Sequence, residues 1–294
     1  MFSAGNRQPL ANAITRGRLS LAGVQEKIAL LRDDAGRWYL PTRGAVTSHI
    51  LKQPLPAYPG LLENELFCMT LAAACGIAVP PVGVAHPEVR VYCVERFDRP
   101  RAPSAGPMPR TRVHREDFCQ ILRVEPARKY EADGGPGLRR CAAVIREHSA
   151  LPAEDLVRFV RWVGFNHLTG NEDAHAKNLA LLYAADGLRL TPHYDLVSTQ
   201  AYADLERRLA MKIGTAWDGR NVQSSDWRRF AASVGLSWAV IRESLLELAD
   251  VIEAALLETT QACAERYGSS DVYGLIAGIV RERAARLSRA TRRG

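Results

Sequence analysis

The polar run Gly170-Asn171-Glu172-Asp173-Ala174-His175-Ala176-Lys177-Asn178, with the apolar runs after it and Tyr194-Asp195 beyond them, constrains the fold more than any other part of the chain. Ahead of it, Leu156, Phe159, Val160 and Val163 recur at helical spacing, so a helix leads into the loop. Behind it, Leu179 to Tyr183 and Leu188 to Thr191 are strand-like. They are separated by Ala184-Ala185-Asp186-Gly187, a turn signal suited to a two-stranded hairpin. A hairpin returns the chain to its starting point, which brings Asp195 back beside Asn178. A single Asp or Asn usually caps a turn or bonds to backbone. Asp173, Asn178 and Asp195 converging in this order point instead to chemistry.

The chemistry that fits is phosphoryl transfer. It needs one carboxylate to orient and deprotonate an acceptor hydroxyl, and further oxygen ligands to hold magnesium (Mg2+) against the phosphates of ATP. Protein kinases place a catalytic Asp five positions before a metal-binding Asn, and a second metal-binding Asp after a β-hairpin. Here Asp173, Asn178 and Asp195 repeat that order. The match is one of geometry, because Asn171-Glu172-Asp173 replaces His-Arg-Asp and Leu196-Val197, not Phe-Gly, follows Asp195. His175 and Lys177 lie within the loop, where a cation offsets charge developing on the transferred group. Either is equally a solvated loop residue.

Upstream segments read as a nucleotide-binding lobe. Ser20 to Lys27 lies ahead of the strand-like Ile28-Ala29-Leu30-Leu31, and the small residues Ala22 and Gly23 let backbone N–H groups of Ala22, Gly23, Val24, Gln25, Glu26 and Lys27 approach phosphates. Taken alone this is a weak signal, since an ordinary connection between strands looks the same. Lys52 ends the run Thr47 to Leu51 on the face of Ser48 and Ile50, from which a lysine reaches phosphates. A strand-end lysine is more often simply exposed. Glu65 lies on a helix-like stretch from Leu61 to Cys75 that Gly76 closes, and is the candidate ion partner of Lys52. Val91 to Val94 is a strand running into Glu95-Arg96-Phe97-Asp98; by strand position alone Phe97 is a core residue.

Asn171 to Asn178, Thr191-Pro192-His193-Tyr194-Asp195 and Ser20-Leu21-Ala22-Gly23-Val24-Gln25-Glu26-Lys27 resemble the HipA-type serine/threonine kinases of bacterial toxin-antitoxin systems. Thr47 to Lys52, Val94 to Arg99, Glu116 to Gln120 and Lys129 to Gly137 are similar to that family too, in its order. The resemblance implies an α+β, two-lobed protein-kinase-like fold, with a β-rich N-terminal lobe over residues 1-99 and a mainly helical catalytic lobe over 100-294. It assigns Glu95, Arg96 and Phe97 to the adenine hinge, places Tyr194 at the nucleotide, and makes Ser20 an autophosphorylation site that switches the enzyme off. It implies an aminoacyl-tRNA synthetase as protein substrate, a helix-turn-helix antitoxin as partner, and DNA only indirectly. Because Met1 to Leu19 is all that precedes the loop, the chain resembles the short, HipT-like members that lack an N-terminal subdomain, which a separate small protein then supplies.

Composition agrees with a cytoplasmic bacterial enzyme: with 47% hydrophobic and 24% charged residues, the 294-residue chain can bury a sizeable core. Six cysteines fall singly in apolar runs and form no CxxC or Cys/His cluster, so they read as reduced core residues. No apolar run is long enough to cross a membrane. The net charge of +7 is concentrated in Arg281, Arg283, Arg286, Arg289, Arg292 and Arg293, which read as a solvated helix face. Trp238 to Tyr267 is a long amphipathic helix or helix pair. Two competing readings stay open: a small-molecule phosphotransferase, and a non-catalytic nucleotide-binding regulator of a repressor.

Overall fold

The computed structural model describes residues 27–42, 45–85, 90–101 and 110–292. By its contacts the chain divides into two units, Met1–Leu62 with Pro80–His114, and Glu63–Val79 with Arg115–Gly294.

The first unit is built on an antiparallel sheet of β1 (Lys27–Arg32), β2 (Trp38–Tyr39), β3 (His49–Lys52), β4 (Val82–Val84) and β5 (Tyr92–Glu95), in the order β2-β1-β3-β5-β4. The register pairs Ile28 with Leu51 and Leu51 with Cys93, so one face carries a core of Ile28, Leu30, Leu51, Val91 and Cys93 under Trp38, Leu40 and Ala85. Alternation puts the other set on the opposite face. There Lys27 pairs with Lys52 and Lys52 with Tyr92, while Ala29, Ile50, Val94 and Val82 line up beside them.

The second unit is mainly helical: α1 (Leu61–Ala74), α2 (Phe118–Ile121), α3 (Leu138–His148), α4 (Pro152–Thr169), α5 (Ser224–Val234), α6 (Trp238–Tyr267) and α7 (Asp271–Arg292). The sheet order β6-β7-β8 joins β6 (Arg115–Asp117), β7 (Ala180–Ala184) and β8 (Gly187–Leu190), and β9 (Arg208–Ile213) pairs with β10 (Ala216–Asp218). α1, which in sequence precedes the expected lobe boundary at Arg99, groups with this unit. Its Asn64 is tied to that unit: the side-chain amide donates to the Ser198 carbonyl at 2.9 Å and its oxygen accepts the Ser198 N–H at 2.7 Å.

α4 is the buried axis of the unit. The expected stripe Leu156, Phe159, Val160 and Val163 is buried, and the last turns are buried all round, through Phe165, Leu168 and Thr169. Gly164 permits this packing, since a Cβ there would stand 2.8 Å from a Leu245 methyl of α6. α6 is one continuous helix; its N-cap Ser237 hydroxyl accepts the Val240 N–H. All six cysteines are free and buried, and burial pushes the Cys75 and Cys93 thiols up to about 12. Among the described residues no helix is long and apolar enough to cross a membrane.

Candidate active site

The loop after α4 is released by Gly170, whose φ of +69° lies in the left-handed region that glycine adopts without a Cβ penalty. Asn171 then organises the turn: its amide donates to Asn166 Oδ1 at 2.6 Å and its own Oδ1 accepts the Asp173 N–H at 3.2 Å. The next two carboxylates take opposite paths. Glu172 points inward, where its N–H donates to Thr199 Oγ1 at 2.8 Å and its carbonyl accepts the Ala210 N–H of β9 at 2.7 Å. Its carboxylate meets Arg283 of α7 at 2.8 Å, both side chains 4% exposed or less. Asp173 points outward and is 46% exposed. Tyr130 donates its hydroxyl to Asp173 Oδ1 at 2.7 Å, with Lys129 Nζ 3.8 Å from the same oxygen.

The second half of the loop closes on itself. Asn178 Oδ1 accepts the His175 N–H at 3.0 Å, while the Asn178 N–H donates to the His175 carbonyl at 2.9 Å. His175 is buried, edge-on to the Tyr130 ring at 5.8 Å, and its Nε2 is 3.9 Å from Asp173 Oδ2. Burial pushes its pKa down to about 4, outweighing the field of Asp173. The ring is therefore buried against Tyr130, where a solvated loop residue was the alternative expectation, and its lowered pKa works against a cationic role. Lys177 is half-buried.

β7 and β8 form the expected hairpin, with Ala184 opposite Gly187 across a turn of Ala185-Asp186. Asp155, near the start of α4, fixes it by accepting the Leu190 N–H at 2.9 Å. Burial works against that carboxylate, but hydrogen bonds from Arg189, Leu190, Ser149 and Arg158 hold it below the usual carboxylate range. The returning strand reaches its target through Tyr194, whose hydroxyl donates to the Lys177 carbonyl at 2.9 Å. Arg115 stacks over the Tyr194 ring at 5.5 Å. Asp195 follows with φ of +56°, a left-handed conformation that costs a non-glycine residue about 1–3 kcal/mol and concentrates at functional sites.

Asn178 and Asp195 present hard oxygen donors of the kind magnesium takes from protein, water and phosphate supplying the rest of its octahedron. Among the described residues no three His, Cys, Asp or Glu side chains gather as a metal-holding cluster.

In the first unit Lys52 is buried, its Nζ 5.1 Å over the Tyr92 ring, where a solvated lysine was the simpler expectation. Glu95 pairs with Arg110 at 3.0 Å and Arg96 with Asp98 at 2.8 Å. The Glu95 and Arg96 amides donate to the Pro81 and Ser48 carbonyls, so an adenine edge read here must meet other backbone groups of the segment. Phe97 is half-buried in the turn after β5. Glu65 is buried on α1, which groups with the second unit. Ser20 and Ala22 to Glu26 lie outside the described residues.

Two residues of the site were missed from sequence. Tyr130 sits within Lys129 to Gly137, a segment that carried the family resemblance but no role. Arg283 was counted in a solvated basic run, yet it is 3% exposed. Its neighbours Arg286 and Arg292 do face solvent, pairing with Glu282 and Asp250.

A family model described as the HipA-like C-terminal domain matches residues 19–256. Y4mE of Sinorhizobium fredii is 39% identical over 251 residues, covering 85% of this chain and 59% of that protein. The serine/threonine-protein kinase toxin HipA of Shewanella oneidensis is 34% identical over 255 residues, covering 82% and 57%. Among solved structures, the Shewanella oneidensis complex of HipA, HipB and operator DNA matches with a TM-score of 0.80 at 29% identity, over 96% of this chain and 67% of that one. The Helicobacter pylori proinflammatory kinase CtkA shares the fold alone, with a TM-score of 0.55 at 12% identity over 89% and 94%. The chain spans less than two thirds of the full length of Y4mE and of the Shewanella oneidensis HipA. The motifs around Asp173 and Asp195, the fold and the family model agree: the chain belongs to the family of HipA-like C-terminal domains.

Proposed function

We propose that this chain is an ATP-dependent serine/threonine protein kinase acting in the bacterial cytoplasm as the toxin of a toxin-antitoxin pair. The observation that carries the reading is the return of Tyr194-Asp195 onto the Asp173-to-Asn178 loop, through the Tyr194 hydroxyl on the Lys177 carbonyl. That link supports the reading, because it holds the residue before Asp195 against the loop that carries Asp173 and Asn178, the residue types phosphoryl transfer requires.

In this mechanism Asp173 accepts the hydrogen bond of a seryl or threonyl hydroxyl, orients its oxygen for in-line attack on the γ-phosphate, and takes its proton as the bond from the γ-phosphorus to the bridging oxygen breaks and ADP leaves. Asn178 and Asp195 hold magnesium, which when bound neutralises phosphate charge. Lys52 and Lys27, opposite one another on one sheet face, contact phosphates, and Ala29, Ile50, Val94 and Val82 offer that face an apolar surface for a base. Ala22 to Glu26 and Glu95 to Phe97 complete the nucleotide contacts, with Tyr194 and Lys177 at the loop. Ser20 is the autophosphorylation site.

The partner is an antitoxin, because the matching Shewanella HipA is found with HipB on operator DNA. The substrate class implied by the family resemblance is an aminoacyl-tRNA synthetase.

Phosphoproteomics after controlled expression of the parent and Asp173→Ala forms tests the activity and names the substrate together. The expected result is a protein of translation phosphorylated only by the parent. Labelling of small molecules alone, or a growth phenotype unchanged by Asp173→Ala, refutes the reading.

A further inference from the structure

We propose that Tyr130 is a positioning residue of the transfer reaction: its hydroxyl holds the Asp173 carboxylate by Oδ1, leaving Oδ2 as the oxygen that receives the acceptor hydroxyl. The proposal rests on the kinase reading of the site.

The two oxygens of Asp173 are unequal. Oδ1 carries the 2.7 Å hydrogen bond from Tyr130 and has Lys129 Nζ at 3.8 Å. Oδ2 has only His175 Nε2, at 3.9 Å, beyond hydrogen-bond distance, so among the described residues it is without a donor. A carboxylate on a half-exposed side chain rotates about its last torsion unless one oxygen is tied. A phenol suits the task, because burial first and then the Asp173 hydrogen bond push its pKa above the ordinary tyrosine range, so it remains a donor at any working pH.

Tyr130 is itself firmly seated. Its carbonyl accepts the Asp133 and Gly135 N–H groups at 3.1 and 2.8 Å. A Cβ at Gly135 would collide with the Arg128 carbonyl and stand 2.6 Å from that of Tyr130, so this tight turn requires glycine. One strand then sets the distance between the two partners. β9 donates the Ala210 N–H to the Glu172 carbonyl at 2.7 Å and the Lys212 N–H to Glu131 Oε2 at 2.9 Å. Glu172 precedes Asp173 and Glu131 follows Tyr130, so both ends of the Tyr130–Asp173 bond are pinned to adjacent rungs of the same strand.

The test is Tyr130→Phe in the full chain, which keeps the ring against His175 and removes only the hydroxyl. Initial rates with Mg-ATP are measured for transfer to dephosphorylated casein and to the chain itself, beside parent and Asp173→Asn. The expected result is a maximal rate lowered about tenfold, as loss of one hydrogen bond to a charged group allows. The ATP concentration for half-maximal rate and the melting temperature stay at parent values, and a ring-fluorinated tyrosine at position 130 restores the rate. An unchanged rate overturns the proposal. A faster rate overturns it too, by showing that the hydroxyl competes with the acceptor; a fall in melting temperature that accounts for the loss reduces Tyr130 to packing. Parent activity abolished by Asp173→Asn keeps the kinase reading whatever Tyr130→Phe does, whereas a parent that transfers nothing removes both.

Discussion

Removing the Arg283 guanidinium should cost far more than removing an arginine one helical turn away. The side chains of Arg283 and Glu172 are 4% and 2% exposed and 2.8 Å apart, and Arg283 also donates to the His167 carbonyl at 2.8 Å and to Gln200 Oε1. Burial pushes Glu172 up and Arg283 down from their ordinary values, and in both it outweighs the partner's field. The pair therefore does not fully recover its own desolvation. Arg283→Met leaves Glu172 buried and charged with no counter-ion, a loss of about 3–5 kcal/mol. For a chain of this size that is roughly 10 °C in melting temperature. Replacing both partners, Arg283→Met with Glu172→Leu, should return stability to within about 1–2 kcal/mol of the parent, because no buried charge is stranded. Arg286 on the same helix pairs with Glu282 at 2.7 Å, but with side chains 50% and 55% exposed, so Arg286→Met should cost no more than about 1 kcal/mol. Urea denaturation followed by far-UV circular dichroism measures all three. If Arg283→Met falls within about 1 kcal/mol of Arg286→Met, or the double variant is no better than the single, the buried-pair argument fails.

Stability should fall steeply on acidification below about pH 6.5, the ordinary histidine value. Burial pushes His49 and His175 down to about 4 and His167 and His193 to about 3, so between those values and 6.5 the unfolded chain binds protons that the folded one refuses. Each such histidine costs up to about 1.4 kcal/mol per pH unit across that window. His193 is stacked on Trp162 at 6.0 Å with its Nε2 unpartnered, and Arg158 and Asp155 are the charges that act on it. His193→Phe should flatten the slope by one proton; urea midpoints from pH 7.5 to 4.5 that leave the slope unchanged would contradict this. Asp195→Gly and Asp195→Ala should both lose magnesium-dependent nucleotide binding by calorimetry, yet the glycine form should be the more stable by about 1 kcal/mol, since only alanine keeps the left-handed strain at φ +56°. Equal stabilities would show that the backbone there is not strained. Gly164→Val should destabilise by several kcal/mol through overlap with Leu245 and Leu248, and a melting curve matching the parent would argue against that close approach.

What could be read in the sequence was what neighbouring residues decide. The hairpin between Ala180 and Leu190 and the helix end at Gly170 follow from apolar periodicity and turn chemistry within a dozen residues. Tyr130 and Arg283 were illegible because their partners lie 43 and 111 residues away, and nothing local separates a tyrosine after a lysine, or one arginine among six, from its solvated counterparts. The burial of His175 was illegible for the same reason: loop position argues for solvent, and only the fold brings the Tyr130 ring against it. Lys52 shows the limit from the other side, since strand alternation gave its face but could not give its burial against Tyr92.

The Arg283 clamp also has a consequence in time. Its anchor point, Glu172, leaves the ribosome 111 residues before the arginine that secures it. At about 5–20 residues per second that is roughly 5–20 s during which the nascent loop next to Asp173 lacks its inner tether. The Glu172 clamp thus closes well after the loop beside it has been made, an interval in which a partner can meet the chain before that contact forms.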